Sequence, residues 1–263
     1  MPNNKKKPLA LISEKADKNI VNSLSRLGFE VLSLPPDDRL DDPVAHHADM
    51  LVFTLDNTVF CNEKYFKNNE AIFKKITDYG YSIFPSVFSV SSVYPHDVAL
   101  NQAVFRNTVI GRLESCAKSI LTHTDRCGYA YRSVNQGYAK CSTLILGDKA
   151  VISADDGILS VARELGADAL KITNGIGEIN LDGYDYGFIG GASAVYENDV
   201  FFFGDLSLHT QGDNIASFCE SHGFSVISLS SAPLYDYGGA IILPDISGSK
   251  QDQAHIEKDH SLM

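Results

Sequence analysis

The sequence predicts an α/β protein built from repeated strand–strand–helix–strand units of about fifty residues, closed into a ring. Three observations predict it. Residues 137–174 and 187–230 share one grammar, with AKCS and GGAS in register. Two looser copies precede them. The first and last segments each lack what the other supplies, so that together they complete a fifth unit and leave no open sheet edge.

In chain order, residues 8–13 are an apolar run that reads as a strand. Residues 15–27 place Ile20, Val21, Leu24 and Leu27 at helical spacing, Gly28 stops the helix, and 29–34 form the next strand. Residues 46–61 read as strand, Asp56-Asn57 turn, strand, followed by a helix over 63–79, a stop at Gly80 and a strand over 81–84. Residues 96–115 read as strand, Arg106-Asn107 turn, strand, and 116–136 are the least regular stretch. The clearest unit has strands at 142–146 and 150–153 around Gly147-Asp148. Asp155 or Asp156 caps a helix carrying Ile158, Val161, Ala162 and Leu165, and a third strand covers 169–172. Its sister has strands at 192–196 and 200–203, a helix at 215–221 capped by Asp213 or Asn214, a stop at Gly223 and a strand at 224–229. Residues 235–244 then give one strand and end, which predicts that 238–243 pairs with 8–13. The single domain is expected over 8–244, with 1–7 and 245–263 as polar, flexible tails.

A net charge of −11 argues against non-specific binding to nucleic acid or anionic membranes. No apolar run reaches the length of a membrane span, and the stretch after the N-terminal lysines is too short for a signal segment, so a cytoplasmic protein is expected. The five cysteines at 61, 116, 127, 141 and 219 are odd in number and widely spaced, which fits reduced thiols. The glycine pairs at 190–191 and 238–239 match neither a dinucleotide fingerprint nor a P-loop. No cofactor is expected. The histidines are too scattered to predict a metal site; the set that comes nearest is His46, His47 and Asp49 with His96 or His209.

Five such units, one split across the termini, resemble the pentein fold, the α/β-propeller of guanidine-modifying enzymes. The resemblance covers roughly residues 8–244 and rests on repeat grammar and glycine-rich strand starts such as Gly190-Gly191 and Gly238-Gly239. It implies a five-fold pseudosymmetric ring with a site in its central channel. In catalytic members it implies a cysteine nucleophile, a histidine acid/base and carboxylates that grip a guanidinium, a small cationic substrate. It also admits non-catalytic binders, the ribosome anti-association factors. The family's cysteine sits on the first strand of the last unit, and here 237–243 has the glycines without it. The nearest His-x-Asp element, His47-Ala48-Asp49, opens an early unit instead. A standard arginine deiminase is thereby excluded.

The starts of the first strands in such a ring converge on the channel. Cys141 is the one cysteine there, flanked by Lys140, and reads as a candidate nucleophile or as a small buried hydrophobe. His47 and Asp49, two apart, are expected on one face of a strand, with His47 as acid/base and Asp49 as a substrate grip, or as turn residues. Asp97, Asn101, Lys140 and Asp236 are candidate substrate contacts, with a turn role as the rival reading for Asp97. His209 has no counterpart in the sister repeat and is a second acid/base candidate, while Asp205 beside it reads as a helix cap. Two functions remain open: a cysteine-dependent hydrolase or transferase acting on a guanidine or amidine carbon–nitrogen group, and a non-catalytic binding protein using the same channel.

Overall fold

The computed structural model describes residues 6–248. Strand β1 (Leu9–Ser13), helix α1 (Lys18–Arg26) and β2 (Glu30–Leu34) open the chain. The first complete unit follows: α2 (Ala48–Leu51), β3 (Val52–Leu55), β4 (Thr58–Asn62), α3 (Glu63–Asn68), α4 (Glu70–Asp78) and β5 (Ser82–Ser86). The second comprises β6 (Ala103–Phe105), β7 (Thr108–Gly111), α5 (Lys118–Arg126) and β8 (Ala130–Ser133). The third comprises β9 (Thr143–Leu146), β10 (Ala150–Ser153), α6 (Asp156–Glu164) and β11 (Asp168–Lys171). The fourth comprises β12 (Ser193–Tyr196), β13 (Asp199–Phe202), α7 (Gly212–Ser221) and β14 (Ser225–Ser228), and β15 (Ala240–Leu243) ends the chain.

Each unit is a three-stranded sheet with the middle strand antiparallel to the first and parallel to the third. A hairpin makes the first pairing and a helical crossover the second, as each geometry requires. The fifth sheet, in the order β15-β1-β2, joins the two ends of the chain. Its antiparallel register pairs Leu9 with Leu243 and Ile12 with Ala240, the pairing expected from the complementary termini.

Ring closure is visible in the core. Middle strands alternate their side chains between the two neighbouring junctions, because successive residues point to opposite faces. Leu9 and Leu11 of β1 pack with Val52 and Val59 of the first unit, whereas Ala10 and Ile12 pack with Ala194 and Phe201 of the fourth. Val200 and Phe202 of β13 turn toward β9 and β10, and Phe201 toward β1. Phe60 and Val109 join the first and second units, and Phe105 and Val151 the second and third. Five apolar clusters thus fill five junctions in a cycle. Both faces of every sheet are covered, which is why the middle strands read as continuous apolar runs.

Several local expectations are corrected. The strand expected to open at His46 begins only at Val52; His47 is the N-cap of α2, and the amides of Met50 and Leu51 donate to its carbonyl. His47 and Asp49 therefore share a helical turn, not a strand face. The helix over 63–79 is two, broken at Asn69, whose backbone leaves helical geometry and whose Nδ2 donates back to the Tyr65 carbonyl at 2.9 Å. Residues 116–136 contain a regular helix and strand, α5 and β8. Helix α7 starts earlier than expected, at Gly212, without a side-chain cap. Asp155 caps α6, accepting from the Ile158 amide at 2.9 Å. The helices stop on glycines with left-handed backbone, such as Gly28 at φ +100° and Gly166 at +79°. At the ends, the Ile246 amide donates to the Tyr79 carbonyl at 3.0 Å, and Lys6 pairs with Asp245 at 3.8 Å. The rest of the expected tails, 1–5 and 249–263, lies outside the described residues.

Candidate functional site

A tight turn precedes the first strand in the first four units. The Asn101 amide donates to the Val98 carbonyl, Ser142 to Tyr138, and Ala192 to Phe188. These turns carry the polar residues inward. Asn101, Cys141, Gly191 and Gly238 each stand two residues before a first strand. On the axis below them, Thr54 of β3, Thr143 of β9, Ser193 of β12 and Ile241 of β15 line a cavity of about 210 Å³.

Cys141 and Asp49 meet at the centre. The thiol donates to Asp49 Oδ2 across 3.0 Å, and both residues are almost wholly buried. Asn101 organises the pair. Its Oδ1 accepts from the amides of Lys140 (2.8 Å) and Cys141 (3.2 Å), and its Nδ2 lies 3.1 Å from the Cys141 sulfur. Asp236 is fixed by two amides, Phe188 to Oδ2 at 2.8 Å and Gly238 to Oδ1 at 2.9 Å. His47 Nδ1 stands 3.7 Å from Asp236 Oδ1. The glycines make room. A Cβ on Gly191 would overlap the Asp236 carboxylate, and one on Gly238, at φ +75°, would overlap the His47 side chain. These glycines serve close approach, as their pairing in the sequence suggests.

A cavity of about 230 Å³ opens beside this cluster, bounded by His47, Cys141 and Asp236 below and by Tyr138, Tyr184, Tyr186 and Phe188 around its sides. His47 also borders a second cavity of about 270 Å³ that holds His46, Lys15 and Asp182. Asp97 stands behind the aromatic wall, its carboxylate accepting from the Tyr138 hydroxyl. Lys140 donates to the Gly190 carbonyl at 3.4 Å. His209 is not in the wall. It follows the short turn Leu206–Leu208, its Nδ1 accepts from the Gln211 amide at 3.0 Å, and Glu178 lies 3.5 Å away. Asp205 caps that turn through the Ser207 amide at 3.0 Å. His96 is exposed.

Burial dominates the electrostatics. It pushes the Asp49 carboxyl up to about 7, against the pull of Lys140. Asp236 rises to about 6 for the same reason, held back by its two backbone amides. Burial lowers His47 to about 3 and His46 to about 4. The Cys141 thiol is driven well above its ordinary value by burial first and by the Asp49 and Asp236 charges next. The resting cluster therefore holds a neutral thiol and neutral imidazoles. Two of its polar atoms, Asp49 Oδ1 and His47 Nδ1, are buried without a partner. Among the described residues, two trios bring metal-ligating atoms within 4.8 Å of one another: His47, Asp49 and Cys141, all buried, and Asp56, His123 and Cys127, at the surface. No described helix is long and apolar enough to cross a membrane.

The family model described as "Family of unknown function (DUF6873)" matches residues 11–241. The chain belongs to that family. No curated protein matches the sequence. Solved structures do match in shape. An amidinotransferase from Microseira wollei, of the saxitoxin biosynthetic pathway, aligns with TM-score 0.57 and 8% identity over 92% of this chain and 96% of that one. A dimethylarginine dimethylaminohydrolase adduct with S-methyl-L-thiocitrulline aligns with TM-score 0.55 and 10% identity over 90% and 99%. The Pseudomonas aeruginosa form of that enzyme, complexed with citrulline, aligns with TM-score 0.54 and 10% identity over 90% and 99%. The chain thus has the pentein fold, with five ββαβ units.

Proposed function

We propose that this chain is a cysteine-dependent hydrolase or transferase acting on a guanidine- or amidine-type carbon–nitrogen group in the central cavity. The observation that carries the reading is the 3.0 Å contact between the Cys141 thiol and Asp49, beside a cavity that Cys141 lines together with Asp236 and aromatic walls. Two buried carboxylates and the faces of tyrosines suit a planar cation. The fold is shared with an amidinotransferase and with dimethylarginine dimethylaminohydrolases, one of them complexed with citrulline.

In this reading the cation binds between Asp236 and the tyrosines, and its charge favours the Cys141 thiolate. The thiol proton passes to Asp49 as the sulfur bonds to the amidine carbon and the C=N electrons move to nitrogen. Asp49 then returns the proton to the departing amine. Water or an acceptor amine then adds to the carbon, giving its proton to Asp49, and the C–S bond breaks as Asp49 returns that proton to the sulfur; which nucleophile adds distinguishes hydrolase from transferase. Asp49 thereby serves as the acid/base, a role that the sequence suggested for His47. His47 and Lys140 shape the field around it, and Asn101 aims the sulfur. Asp97 acts through Tyr138, and His209 has no part at the sulfur.

One observation favours a second reading, the non-catalytic binder: the resting thiol is strongly held in its neutral form. Labelling with 2-chloroacetamidine against neutral iodoacetamide separates the two. The enzyme reading expects faster single-site modification by the amidine, mapped to Cys141, with the preference lost in Asp236→Asn. Equal rates, or modification at the exposed Cys127, would sink it. Turnover of a panel of guanidines, read as released ammonia, urea or amine, then names the substrate.

A further inference from the structure

We propose that Cys141, Asp49 and His47 form a binding site for one soft divalent metal ion of the zinc class. The metal reading needs the three donors and no reaction, so it goes beyond the proposed activity.

The donors are the right kind. Thiolate and imidazole select zinc-like ions over magnesium or calcium, and a carboxylate completes a common three-residue set. They are also nearly in place. Metal–ligand bonds of about 2.0–2.3 Å in a tetrahedron imply donor–donor separations of about 3.3–3.8 Å. The sulfur and Asp49 Oδ2 stand 3.0 Å apart, and the His47 nitrogen completes a triangle with no side above 4.8 Å. The remainder is a shift of at most about 1 Å, from the 4.8 Å limit to those separations.

A second observation concerns two of the same residues. Asp49 Oδ1 and His47 Nδ1 are buried and have no hydrogen-bond partner. Buried polar atoms are rarely left so, and a missing ion is one of the recurrent reasons. The surroundings match an outer shell: Asn101 Nδ2 lies 3.1 Å from the sulfur, and Asp236 stands 3.7 Å from His47. Three protein ligands leave a fourth position for another group, and two of the donors, His47 and Cys141, line the cavity of about 230 Å³. The surface trio differs: Asp56 already accepts from the Tyr129 hydroxyl at 2.6 Å, and none of its three residues has a buried side-chain atom without a partner.

On binding, bonds form from the metal to sulfur, carboxylate and imidazole, and the thiol proton leaves to solvent together with the Asp49 proton where that carboxyl holds one. No electron is transferred. The ion then occupies the sulfur and the carboxylate that the proposed reaction uses, so it would shut the reaction off. That consequence alone rests on the proposed function.

The test is a cobalt(II) titration of the chelator-treated full chain, followed by its visible spectrum. One equivalent should give a thiolate-to-cobalt charge-transfer band with tetrahedral d–d intensity, absent in Cys141→Ser and His47→Gln and retained in Cys127→Ser. No band, a band that survives Cys141→Ser, or one lost in Cys127→Ser overturns the site. A variant-free measurement covers the case in which Cys141→Ser fails to fold. Zinc at about ten times its dissociation constant should slow alkylation of Cys141 in the unaltered protein about tenfold. Unchanged alkylation overturns the proposal. If the band forms while 2-chloroacetamidine leaves metal-free Cys141 untouched, the reaction fails and the metal site stands. The converse result rejects the metal site alone.

Discussion

Replacing Asp49 with Asn should tilt the dependence of stability on pH. Four buried groups in and beside the cluster exchange protons on unfolding. His46 and His47 have folded values lowered to about 4 and about 3, from 6.5. Between pH 4 and 6 the unfolded chain holds their protons and the folded chain does not, so each makes stability rise with pH. Asp49 and Asp236 have folded values raised to about 7 and about 6, from 3.8. There the folded chain holds the protons, and each makes stability fall as pH rises. Two protons oppose two, and the cluster's net contribution is flat over about pH 4–6. In Asp49→Asn, two oppose one. The variant should gain on the parent by about 1.4 kcal/mol per pH unit over that window. Other titrating groups are common to both proteins and cancel in the difference. Urea denaturation at half-unit steps, with chelator present, measures it directly. Parallel profiles for variant and parent would refute the picture of a protonated buried Asp49.

The remaining predictions concern how the cluster is held. Asn101→Ala strips the acceptor from the amides of Lys140 and Cys141, at roughly 1–3 kcal/mol for each donor left dry. Denaturation midpoints should report a loss of several kcal/mol, and Asn101→Asp, which keeps the acceptor oxygen, should recover part of it. Gly191→Ala drives a methyl into the Asp236 carboxylate and should cost about 1–3 kcal/mol; a neutral result would mean that Asp236 is not fixed there. Tyr184→Phe removes the hydrogen bond from the cavity wall to Asp41 (3.0 Å), for about 0.5–1.5 kcal/mol. It should speed modification of Cys141 by small electrophiles, and an unchanged rate would show that this wall does not control access.

The ring was legible because its signals are local. A residue in left-handed conformation begins each tight hairpin, as at Asp56 and Gly147, and helices end on glycines such as Gly28 and Gly166. Each can be read from a few neighbouring residues. The pairing of β15 with β1 followed from counting what each end lacked. The short helix α2 was not legible, since Met50-Leu51-Val52-Phe53 is one apolar run and only tertiary packing splits it. The structure brings Asp49, Asn101, Cys141, Asp236 and His47 together, as expected from one rule, that strand starts converge on the axis. His209 obeys no such rule: it follows a second strand, and Glu178 and Gln211 hold it there. The aromatic wall was missed altogether. Apart from Tyr138, which precedes β9, it comes from the long β11–β12 connection, whose trace in the sequence is the alternation Tyr184, Tyr186, Phe188.

Pseudosymmetry explains how a cysteine can be absent from the last unit and still stand at the centre. Gly238 and Cys141 occupy matching places, each two residues before the first strand of its unit. Gly238 cannot carry a side chain, because His47 fills the space that its Cβ would need and its φ of +75° disfavours any other residue. Cys141 faces the axis from the third unit, where Asn101, its neighbour in the second, holds the loop. Asp49 and Asp236 arrive from the first and fifth. A cluster assembled from four units depends on closure of the whole ring more than on any one motif. Its geometry is therefore sensitive to where each turn ends, and Asn101, which also donates to the Asp49 carbonyl at 3.4 Å and so joins three of those units, is the contact whose loss should disperse it.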